Sequence, residues 1–454
     1  MATLAALLKS RGHDVRGSDQ NVYPPMSDFL RDQEITTLQG YRPEHISPEI
    51  DLVVVGNAIS RGNVELEEVL DRKIRYCSLP EAVRDHFLWG ARSVVIAGTH
   101  GKTTTTSLTG WLLAHGGADP NVLIGGIAEN FGSSYRVGGG REFVIEGDEY
   151  DSAFFDKTAK FLKYLPDIAV VNNIEFDHAD IYPDLAAIRL AFWRFVNLVP
   201  RRGLLVLGAD NPEALALKDR ARCAVETFGL AAGADWQAHD LRTEGTSTRF
   251  SVRRRGEPIG AFELPLLGAH NVRNALAAIA VGAAVGLSTD TLAAGLRAFR
   301  GVRRRMELRG TVAGVSVYDD FAHHPTAIEE TLAGVRSAYP GRRVWAVFEP
   351  RSATSCRRIF QSDFARALSR ADIVVLPSVF RSTLPEAERL SPEQVVADLQ
   401  TEGVDARFIP QVDDIVRTMA REAREGDLVV VMSNGGFDDI HQKLLVALEA
   451  RVRR

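Results

Sequence analysis

The sequence predicts an α/β protein built from three domains. Its 454 residues exceed the length of one ordinary domain. Short runs of β-branched residues alternate with helical segments at the spacing of βαβ units, which favours parallel, Rossmann-like sheets. One of these runs leads into a glycine-spaced loop that ends in Gly-Lys-Thr. We therefore expect a Rossmann-like N-terminal domain at residues 1–90, a P-loop ATPase-like central domain at residues 91–308 and a Rossmann-like C-terminal domain at residues 309–454.

Composition and charge narrow the classes of function. A content of 45% hydrophobic and 25% charged residues is typical of a soluble globular protein, and a net charge of -5 gives no reason to expect nucleic acid or a membrane as a partner. The three cysteines, Cys77, Cys223 and Cys356, lie far apart without metal-ligand spacing, which predicts free thiols in a reducing compartment. No signal pattern and no apolar run of about eighteen residues occurs, so we expect a cytoplasmic protein.

The N-terminal domain is predicted to be a small α/β unit. A helix is expected at residues 2–9, and strands are expected at residues 13–19 and 51–56. The loops that follow these strands leave their C-terminal ends, where open parallel sheets bind ligands. A doubly wound domain normally opens with a strand and a glycine-rich turn, whereas Met1 already lies at a helix. We therefore expect this domain to lack its first strand, with a misassigned start as the hypothesis.

The loop at residues 98–104 has the residue types of a phosphate cradle. Gly98 and Gly101 let backbone N–H groups close on an anion, Lys102 supplies charge for the β- and γ-phosphates, and Thr103 offers a hydroxyl to Mg²⁺. The spacing Gly-x-x-Gly-Lys-Thr is shorter than the usual P-loop pattern. A chance Gly-Lys-Thr in a loop is the alternative, and a strand before it and a helix after it disfavour that alternative.

Two further strands of the central domain, predicted at residues 143–145 and 168–171, run into polar residues. Glu146 follows the first strand directly, where P-loop enzymes place a carboxylate for Mg²⁺. The alternative is that the acidic residues 146–151 form a solvated loop. His178 follows the second strand, and the residues alone leave open whether it is a metal ligand, a phosphate neighbour or a core histidine.

The rest of the chain supplies the sheet cover and the third domain. Apolar residues recur at helical spacing over residues 185–199, shorter strands are expected over residues 204–266, and a helix is expected to begin near residue 268. The third domain alternates predicted strands and helices, which argues for a parallel sheet. The expected strands are residues 315–318, 344–348, 373–376 and 428–432, and the expected helices include residues 362–368 and 392–399.

Charged residues lie where the second and third domains meet. Arg305 ends a run of three arginines, which is either a solvated charge run or a group that reaches the γ-phosphate when the domains close. Asp320 and His323 follow a strand and either face nucleotide across the cleft or make ordinary turn contacts. Arg351 and its neighbours Arg357 and Arg358 are candidate ligands for substrate carboxylates.

Taken together, these motifs resemble the Mur ligases of peptidoglycan synthesis over nearly the whole chain. The motifs are residues 98–104, 146–151, 173–178, 270–274, 304–305 and 319–325. The resemblance implies a UDP-sugar-binding first domain, an ATP-binding second domain and a third domain that brings an amino acid or peptide. It also implies that ATP and Mg²⁺ are used, that the muramic acid carboxylate is phosphorylated, and that an amine then attacks the acyl phosphate.

The resemblance also implies roles for individual residues. Lys102, Glu146, His178 and Arg305 are the implied catalytic residues, and Thr103, Glu146 and His178 the implied metal ligands. The implied nucleotide-binding residues are Gly98, Thr99, His100, Gly101, Lys102, Thr103, Thr104, Asn271, Asn274, Arg305 and Asp320. The implied substrate-binding residues are Ser18, Asp19, Asn57, Ser60, Arg61, His323, Arg351 and Asn434.

Additional stretches resemble one branch of the family, which joins the tripeptide L-alanyl-γ-D-glutamyl-meso-diaminopimelate to UDP-N-acetylmuramate in peptidoglycan recycling. These stretches are residues 17–27, 56–63, 154–157, 349–352 and 433–437. Some family members carry a carbamylated lysine after the metal histidine, and residues 185–199 contain no lysine. The alternatives are the UDP-N-acetylmuramate:L-alanine ligase, a P-loop protein that hydrolyses nucleotide without ligation, and an inactive relative.

Overall fold

Three groups of strands follow one another along the chain in the computed structural model, which describes residues 1–23, 26–380 and 384–453. Pro24 and Pro25, which belong to the predicted stretch 17–27, lie outside the described residues. All three groups contain both strands and helices, which confirms the predicted α/β class. Among the described residues, none of the helices combines the length and the apolar character that crossing a membrane requires.

The first group consists of two parallel strand pairs with their helices. Its elements are α1 (Ala2–Ser10), β1 (Arg16–Asp19), α2 (Met26–Asp32), β2 (Thr36–Gln39), β3 (Val53–Val55), α3 (Val64–Asp71), β4 (Tyr76–Ser78) and α4 (Leu79–Val83), with short helical turns at Pro43–His45 and Arg84–Leu88. β1 pairs with β2 and β3 pairs with β4, both in parallel. Leu4 and Leu7 of α1 pack into the same core as Phe143 and Phe161, so this unit is seated on the central domain.

The second group forms a ten-stranded mixed sheet in the order β16-β15-β14-β13-β12-β11-β5-β8-β6-β7. Its first half contains β5 (Arg92–Ala97), α5 (Lys102–His115), β6 (Asn121–Ala128), β7 (Ser133–Arg136), β8 (Glu142–Gly147) and β11 (Ile168–Val171), with the separate hairpin β9 (Asp151–Ala153) and β10 (Asp156–Ala159). Its second half contains α6 (Leu185–Val196), β12 (Leu204–Gly208), α7 (Pro212–Leu215), β13 (Ala224–Gly229), β14 (Trp236–Glu244), β15 (Ser247–Arg254), β16 (Glu257–Leu264), α8 (Ala269–Val285) and α9 (Thr289–Arg297), with short turns at Lys160–Lys163 and Ala216–Arg220.

Strand β5 lies inside this sheet, with β8 on one side and β11 on the other, all parallel. Val94 and Ile96 pack with helices α5 and α8, while Val95 and Ala97 pack on the opposite face with α6. Burial on both faces explains why these strands are continuous apolar runs. Because the three strands are parallel, the loops that follow them meet at one edge, and this edge carries the candidate site.

The third group forms a six-stranded sheet in the order β17-β18-β22-β19-β20-β21. Its elements are β17 (Glu307–Val312), β18 (Val315–Asp320), α10 (Pro325–Ala338), β19 (Val344–Phe348), α11 (Gln361–Leu368), β20 (Ile373–Leu376), α12 (Pro392–Thr401), β21 (Asp405–Phe408), α13 (Val412–Glu422), β22 (Leu428–Met432) and α14 (Ile440–Val452), with short turns at Arg358–Phe360, Glu386–Glu388 and Phe437–Asp439.

The four strands predicted for this domain are β18, β19, β20 and β22, and they pair in parallel as expected. The sheet has an additional edge strand, β17, which the sequence did not indicate and which runs antiparallel to β18. The two strands are joined by Ala313 and Gly314, whose φ angles are 53° and 71°. A two-residue turn with both φ angles positive has the twist that suits a tight hairpin. This hairpin connects the central domain to the third sheet and therefore fixes where Arg305, just before β17, is placed.

Candidate active site

The phosphate loop connects β5 to α5 and is shaped by two glycines. Gly98 and Gly101 have φ angles of 134° and 79°, in the region that favours glycine. A Cβ at Gly98 would lie 3.0 Å from the backbone nitrogen of Asn172, and one at Gly101 would collide with the side chain of Asn274. Thr104 is buried on the first turn of α5. The loop therefore admits only glycine at these two positions, as expected of a cradle for phosphate oxygens.

The loop is tied to the segment that follows β11. The backbone N–H of Thr99 donates to the carbonyl oxygen of Asn173 at 3.0 Å. The backbone N–H of His100 donates to Oδ1 of the same asparagine at 2.7 Å. These two hydrogen bonds hold the phosphate loop against the segment that follows β11.

Lys102, the first residue of α5, is paired with a buried carboxylate. Its Nζ lies 2.9 and 2.7 Å from the two carboxylate oxygens of Glu149, whose side chain is only 2% exposed. Nε2 of His178 lies 3.1 Å from Oε1 of the same carboxylate. Burial alone would lower the pKa of Lys102 and of His178, but Glu149 raises both above their usual values. The three side chains form one charged network at the strand ends.

A second contact group surrounds the hydroxyl of Thr103. This hydroxyl donates to Oε1 of Glu146 at 3.0 Å, and the backbone N–H of Gly125 donates to Oε2 at 2.7 Å. Nη2 of Arg305 donates to the Thr103 hydroxyl at 3.5 Å. Burial raises the pKa of Glu146 and lowers the pKa of Arg305. Glu146 and His178, which the sequence groups as metal ligands, therefore contact different partners.

Residues near this edge fit a divalent cation. One ligand atom each from Asp148, Glu149 and His178 lies within 4.8 Å of the others. Nζ of Lys160 also lies 2.6 Å from Asp148, so this carboxylate has a cation partner of its own. The two carboxylates of this group supply oxygen donors of the kind that Mg²⁺ prefers, and Glu146 supplies another beside the Thr103 hydroxyl. The sequence signals the acidic run but cannot tell which of its carboxylates is buried, so Asp148 and Glu149 are absent from the predicted ligands.

The two asparagines at the start of α8 support the phosphate loop. Oδ1 of Asn274 accepts from Oγ1 of Thr105 at 3.1 Å, and its Nδ2 donates to Oδ1 of Asn271 at 3.2 Å. Nδ2 of Asn271 in turn donates to the carbonyl of Leu267 at 2.8 Å. In this structure both asparagines position helix α5, and their adenine contact stays a prediction.

Asp320 is buried at the end of β18. Its carboxylate accepts from the backbone N–H groups of Met306 and Ala322, both at 2.8 Å. These bonds fix the backbone at Met306, directly after Arg305, and at Ala322, just past the end of β18. Burial raises the pKa of Asp320 above its usual value. The structure therefore shows Asp320 holding the domain connection, while its expected contact with ribose stays a prediction.

The phosphate loop also touches the third domain through residues that sequence reasoning did not assign. Nε2 of His100 lies 3.3 Å from Oε2 of Glu175, and Oγ1 of Thr326 donates to the same oxygen at 2.6 Å. Burial would raise the pKa of Glu175, but the hydrogen bonds from His100 and Thr326 and the charge of His100 lower it to about 2. Burial, followed by the charge of His100, lowers the pKa of His324 to about 4, so this ring is neutral.

The remaining substrate-side residues of the third domain are His323, Arg351 and Asn434. Nδ1 of His323 donates to the carbonyl of Phe321 at 3.0 Å. The guanidinium of Arg351 lies 3.6 Å from the ring centroid of Phe380 and 3.5 Å from Glu349. Oδ1 of Asn434 is buried and has no hydrogen-bond partner among the described residues. An unpaired buried oxygen is the feature expected where a ligand donor completes the site.

The substrate-side residues of the N-terminal domain are more dispersed. Nδ2 of Asn57 donates to Oδ1 of Asp151 at 3.1 Å and so reaches the central domain. Arg61 is exposed and is paired with Glu67 at 2.9 Å. The other expected residues are Ser18, which is hydrogen-bonded to Glu65, and the exposed residues Asp19 and Ser60. Of these five residues, Asn57 is the one that contacts the central domain, through Asp151 of β9.

Comparison with known proteins gives the family of this site. Three domain profiles match in succession: the Mur ligase family catalytic domain at residues 1–88, the Mur ligase middle domain at residues 96–282 and the Mur ligase glutamate ligase domain at residues 304–435. The chain belongs to the Mur ligase family. Mur ligases are ATP-dependent ligases that use Mg²⁺. The glycines of the phosphate loop fit the phosphates of ATP, and the carboxylate cluster fits Mg²⁺.

Individual Mur ligases are similar over nearly the whole chain. The UDP-N-acetylmuramate–L-alanyl-γ-D-glutamyl-meso-2,6-diaminoheptandioate ligase of Escherichia coli is 43% identical, over 99% of this chain and 96% of that protein. The UDP-N-acetylmuramate–L-alanine ligase of Salinibacter ruber is 38% identical, over 96% of this chain and 90% of that protein. The crystal structure of a murein peptide ligase from Psychrobacter arcticus is 37% identical with a TM-score of 0.72, over 99% of this chain and 96% of that one.

Proposed function

We propose that this Mur ligase joins L-alanyl-γ-D-glutamyl-meso-diaminopimelate to UDP-N-acetylmuramate at the expense of ATP, in the recycling of murein peptide. The observation that carries the proposal is the 43% identity, over 99% of the chain, to an Escherichia coli ligase named for these two substrates. The Haemophilus influenzae protein of the same name supports it at 40% identity over 99% of the chain.

The geometry of the site fits phosphoryl transfer followed by amide formation. When bound, ATP would supply its γ-phosphoryl group to the muramic acid carboxylate and leave as ADP, Mg²⁺ would neutralise phosphate charge, and phosphate would leave when the peptide amine attacks the acyl phosphate. The chain's part is to position charge, because such transfers need little covalent work from the protein. Lys102 brings a positive charge to the phosphate loop, and Arg305 brings a second charge to the Thr103 hydroxyl. Glu146 orients that hydroxyl by accepting its hydrogen bond.

In the proposed reaction, each of the three domains binds a different substrate. Residues 1–90 hold the UDP sugar, with Asn57 reaching toward the central domain through Asp151. Residues 91–308 hold ATP on the phosphate loop. Residues 309–454 bring the peptide, for which Arg351 and the unpaired Asn434 oxygen are suited to bind carboxylate and amine groups. We place the reaction in the cytoplasm, where ATP and nucleotide sugars are found, and the free thiols of Cys77 and Cys223 suit that compartment.

The alternative is ligation of L-alanine alone, which the 38% identity to the Salinibacter ruber enzyme favours. The two functions differ in their acceptor and are separated by phosphate release from ATP, Mg²⁺ and UDP-N-acetylmuramate with either acceptor. Release with the tripeptide and not with L-alanine is the expected result. Release with L-alanine and not with the tripeptide would instead indicate the biosynthetic reaction, in which L-alanine is joined to UDP-N-acetylmuramate. Release that needs neither acceptor nor sugar nucleotide would indicate a nucleotide hydrolase instead.

A further inference from the structure

A second group of metal-ligand side chains lies between the central and third domains. His100 belongs to the phosphate loop, Glu175 follows β11, and His324 caps the N-terminus of α10. One ligand atom from each of these residues lies within 4.8 Å of the others. We infer that His100, Glu175 and His324 bind a transition-metal cation such as Zn²⁺, at a site distinct from Asp148, Glu149 and His178.

The distances are close to those of a preformed site. Zn²⁺ holds nitrogen and oxygen ligands at about 2.0–2.1 Å, so neighbouring ligand atoms of a tetrahedral site are about 3.3 Å apart. Oε2 of Glu175 lies 3.3 Å from Nε2 of His100 and 3.7 Å from Nδ1 of His324. Small side-chain movements therefore suffice to close the set around an ion. Two imidazoles and one carboxylate leave a fourth position for water or a substrate group.

The surrounding contacts orient the ligands for a cation. Nε2 of His324 lies 3.2 Å from the carbonyl of Phe176 and donates to it, while the N–H of Thr326 points at Nδ1 from 3.4 Å. Both contacts leave the lone pair of the ring on Nδ1, which lies 3.7 Å from Glu175 and accepts the long hydrogen bond from Thr326. A bound ion would take the place of that hydrogen bond. Histidines that bind metals commonly donate their other N–H to a backbone carbonyl in this way. Oγ1 of Thr326 donates to Glu175 at 2.6 Å and holds the carboxylate in place.

The ligand types separate this site from the Mg²⁺ of the nucleotide. Imidazole nitrogens suit Zn²⁺, Ni²⁺ and Cu²⁺, whereas Mg²⁺ takes oxygen ligands. The cluster at Glu149 offers two carboxylates, while the cluster at Glu175 offers two imidazoles and one carboxylate. Because His100 and His324 belong to different domains, a bound ion would link the phosphate loop to α10. The site would then set how firmly the third domain stays against the nucleotide loop.

The test is titration of the full-length, metal-stripped chain with Zn²⁺ in the presence of a large excess of Mg²⁺. Co²⁺ replaces Zn²⁺ in a parallel titration, because its visible absorption reports nitrogen coordination. We expect saturable Zn²⁺ binding and a rise in Tm on binding. Glu175→Gln keeps the size of the side chain and is expected to weaken Zn²⁺ binding at least about tenfold, as is His100→Gln. His178→Gln alters only the other cluster and is the matched control, expected to keep Zn²⁺ binding.

The opposite pattern would overturn the inference. If His178→Gln abolishes Zn²⁺ binding while Glu175→Gln retains it, the ion belongs to the other cluster. If no Zn²⁺ binds when Mg²⁺ is in excess, His100, Glu175 and His324 form a hydrogen-bonded domain contact and no metal site. His324→Gln also removes a helix cap and can impair folding. The decision therefore rests on Glu175→Gln and His100→Gln, with circular dichroism to show that each variant is folded.

Discussion

Nη2 of Arg305 lies 3.5 Å from Oγ1 of Thr103, so the segment that leads into the third domain reaches the hydroxyl at the start of the phosphate-loop helix. The phosphate-loop helix and the segment that connects the central to the third domain thereby meet at one point of the candidate site. The adjacent Arg303 points elsewhere, since its guanidinium lies 2.7 Å from Glu129 and is half exposed. The two arginines offer a matched comparison within one short segment.

We predict that Arg305→Ala lowers kcat for ligation by roughly 100- to 1,000-fold, the usual cost of removing one group that stabilises transition-state charge. The effect on nucleotide affinity should be smaller, because the arginine reaches the phosphate loop from the segment that connects the central to the third domain. Initial rates and nucleotide binding measured side by side give the comparison. Arg303→Ala should stay within about twofold of the wild type on both. Loss of nucleotide affinity without loss of kcat would show that Arg305 acts in the ground state.

Lys102→Ala should also reduce kcat by roughly 100-fold or more, since the phosphate loop loses its charge. The same change leaves the buried Glu149 with His178 as its remaining cationic partner among the described residues. We therefore expect the free energy of unfolding to fall by about 1–3 kcal/mol. Adding Glu149→Gln to Lys102→Ala should restore part of this stability but none of the activity. Urea unfolding and phosphate release measure the two effects, and recovery of activity in the double variant would contradict the role of Lys102.

Gly101→Ala should destabilise the chain through two separate effects. A left-handed backbone costs an L-residue about 1–2 kcal/mol, and the added Cβ would collide with Asn274. Gly117 has nearly the same φ angle, 81°, and a Cβ there would meet no described atom within 4 Å, so Gly117→Ala shows the backbone cost alone. The loss at Gly101 should exceed that at Gly117 by about 1–3 kcal/mol, as overpacking does. Equal losses in urea unfolding would show that Asn274 moves aside freely.

Stability should fall on mild acidification because of His270. Burial lowers the pKa of this ring, against the opposing charges of Glu330 and Asp320 and with the help of Arg273 and Arg305. The folded chain therefore binds fewer protons there than the unfolded chain, whose histidines have a pKa of about 6.5. Below that pH the free energy of unfolding should decline by up to about 1.4 kcal/mol per pH unit from this residue.

His270→Gln should reduce the slope of this decline by up to about 1.4 kcal/mol per pH unit, which is the contribution of one bound proton. Urea unfolding measured between about pH 5 and 8 gives the slope for each variant. An unchanged slope in His270→Gln would show that the ring is protonated in the folded chain as readily as in the unfolded one.

The sequence was most informative where burial is complete. The predicted strand at residues 168–171 agrees with β11, and the strand at residues 344–348 agrees with β19, because a strand buried on both faces must be an apolar run. The antiparallel edge β17 was missed, since its pairing depends on a two-residue turn and not on apolar periodicity.

The sequence predicted the kind of site better than the side-chain contacts within it. The glycine spacing and Gly-Lys-Thr identify the cradle because few other structures need those residues in that order. Which carboxylate of residues 146–151 pairs with Lys102 depends on the packing around β8, and local sequence gives no sign that Glu149 is the buried one. The approach of His324 to Glu175 depends on how two domains meet, which no single stretch of sequence encodes.

Strand β22 is the last strand along the chain, yet it lies between β18 and β19 in the third sheet. During synthesis on the ribosome, β18 and β19 are therefore made without the strand that separates them. Their facing edges, at Tyr318 and Ala346, have no partner until Val430 has emerged. Unpaired strand edges bind other chains readily. A chain interrupted before Leu428 would thus be an aggregation-prone fragment and a ready client for chaperones and proteases.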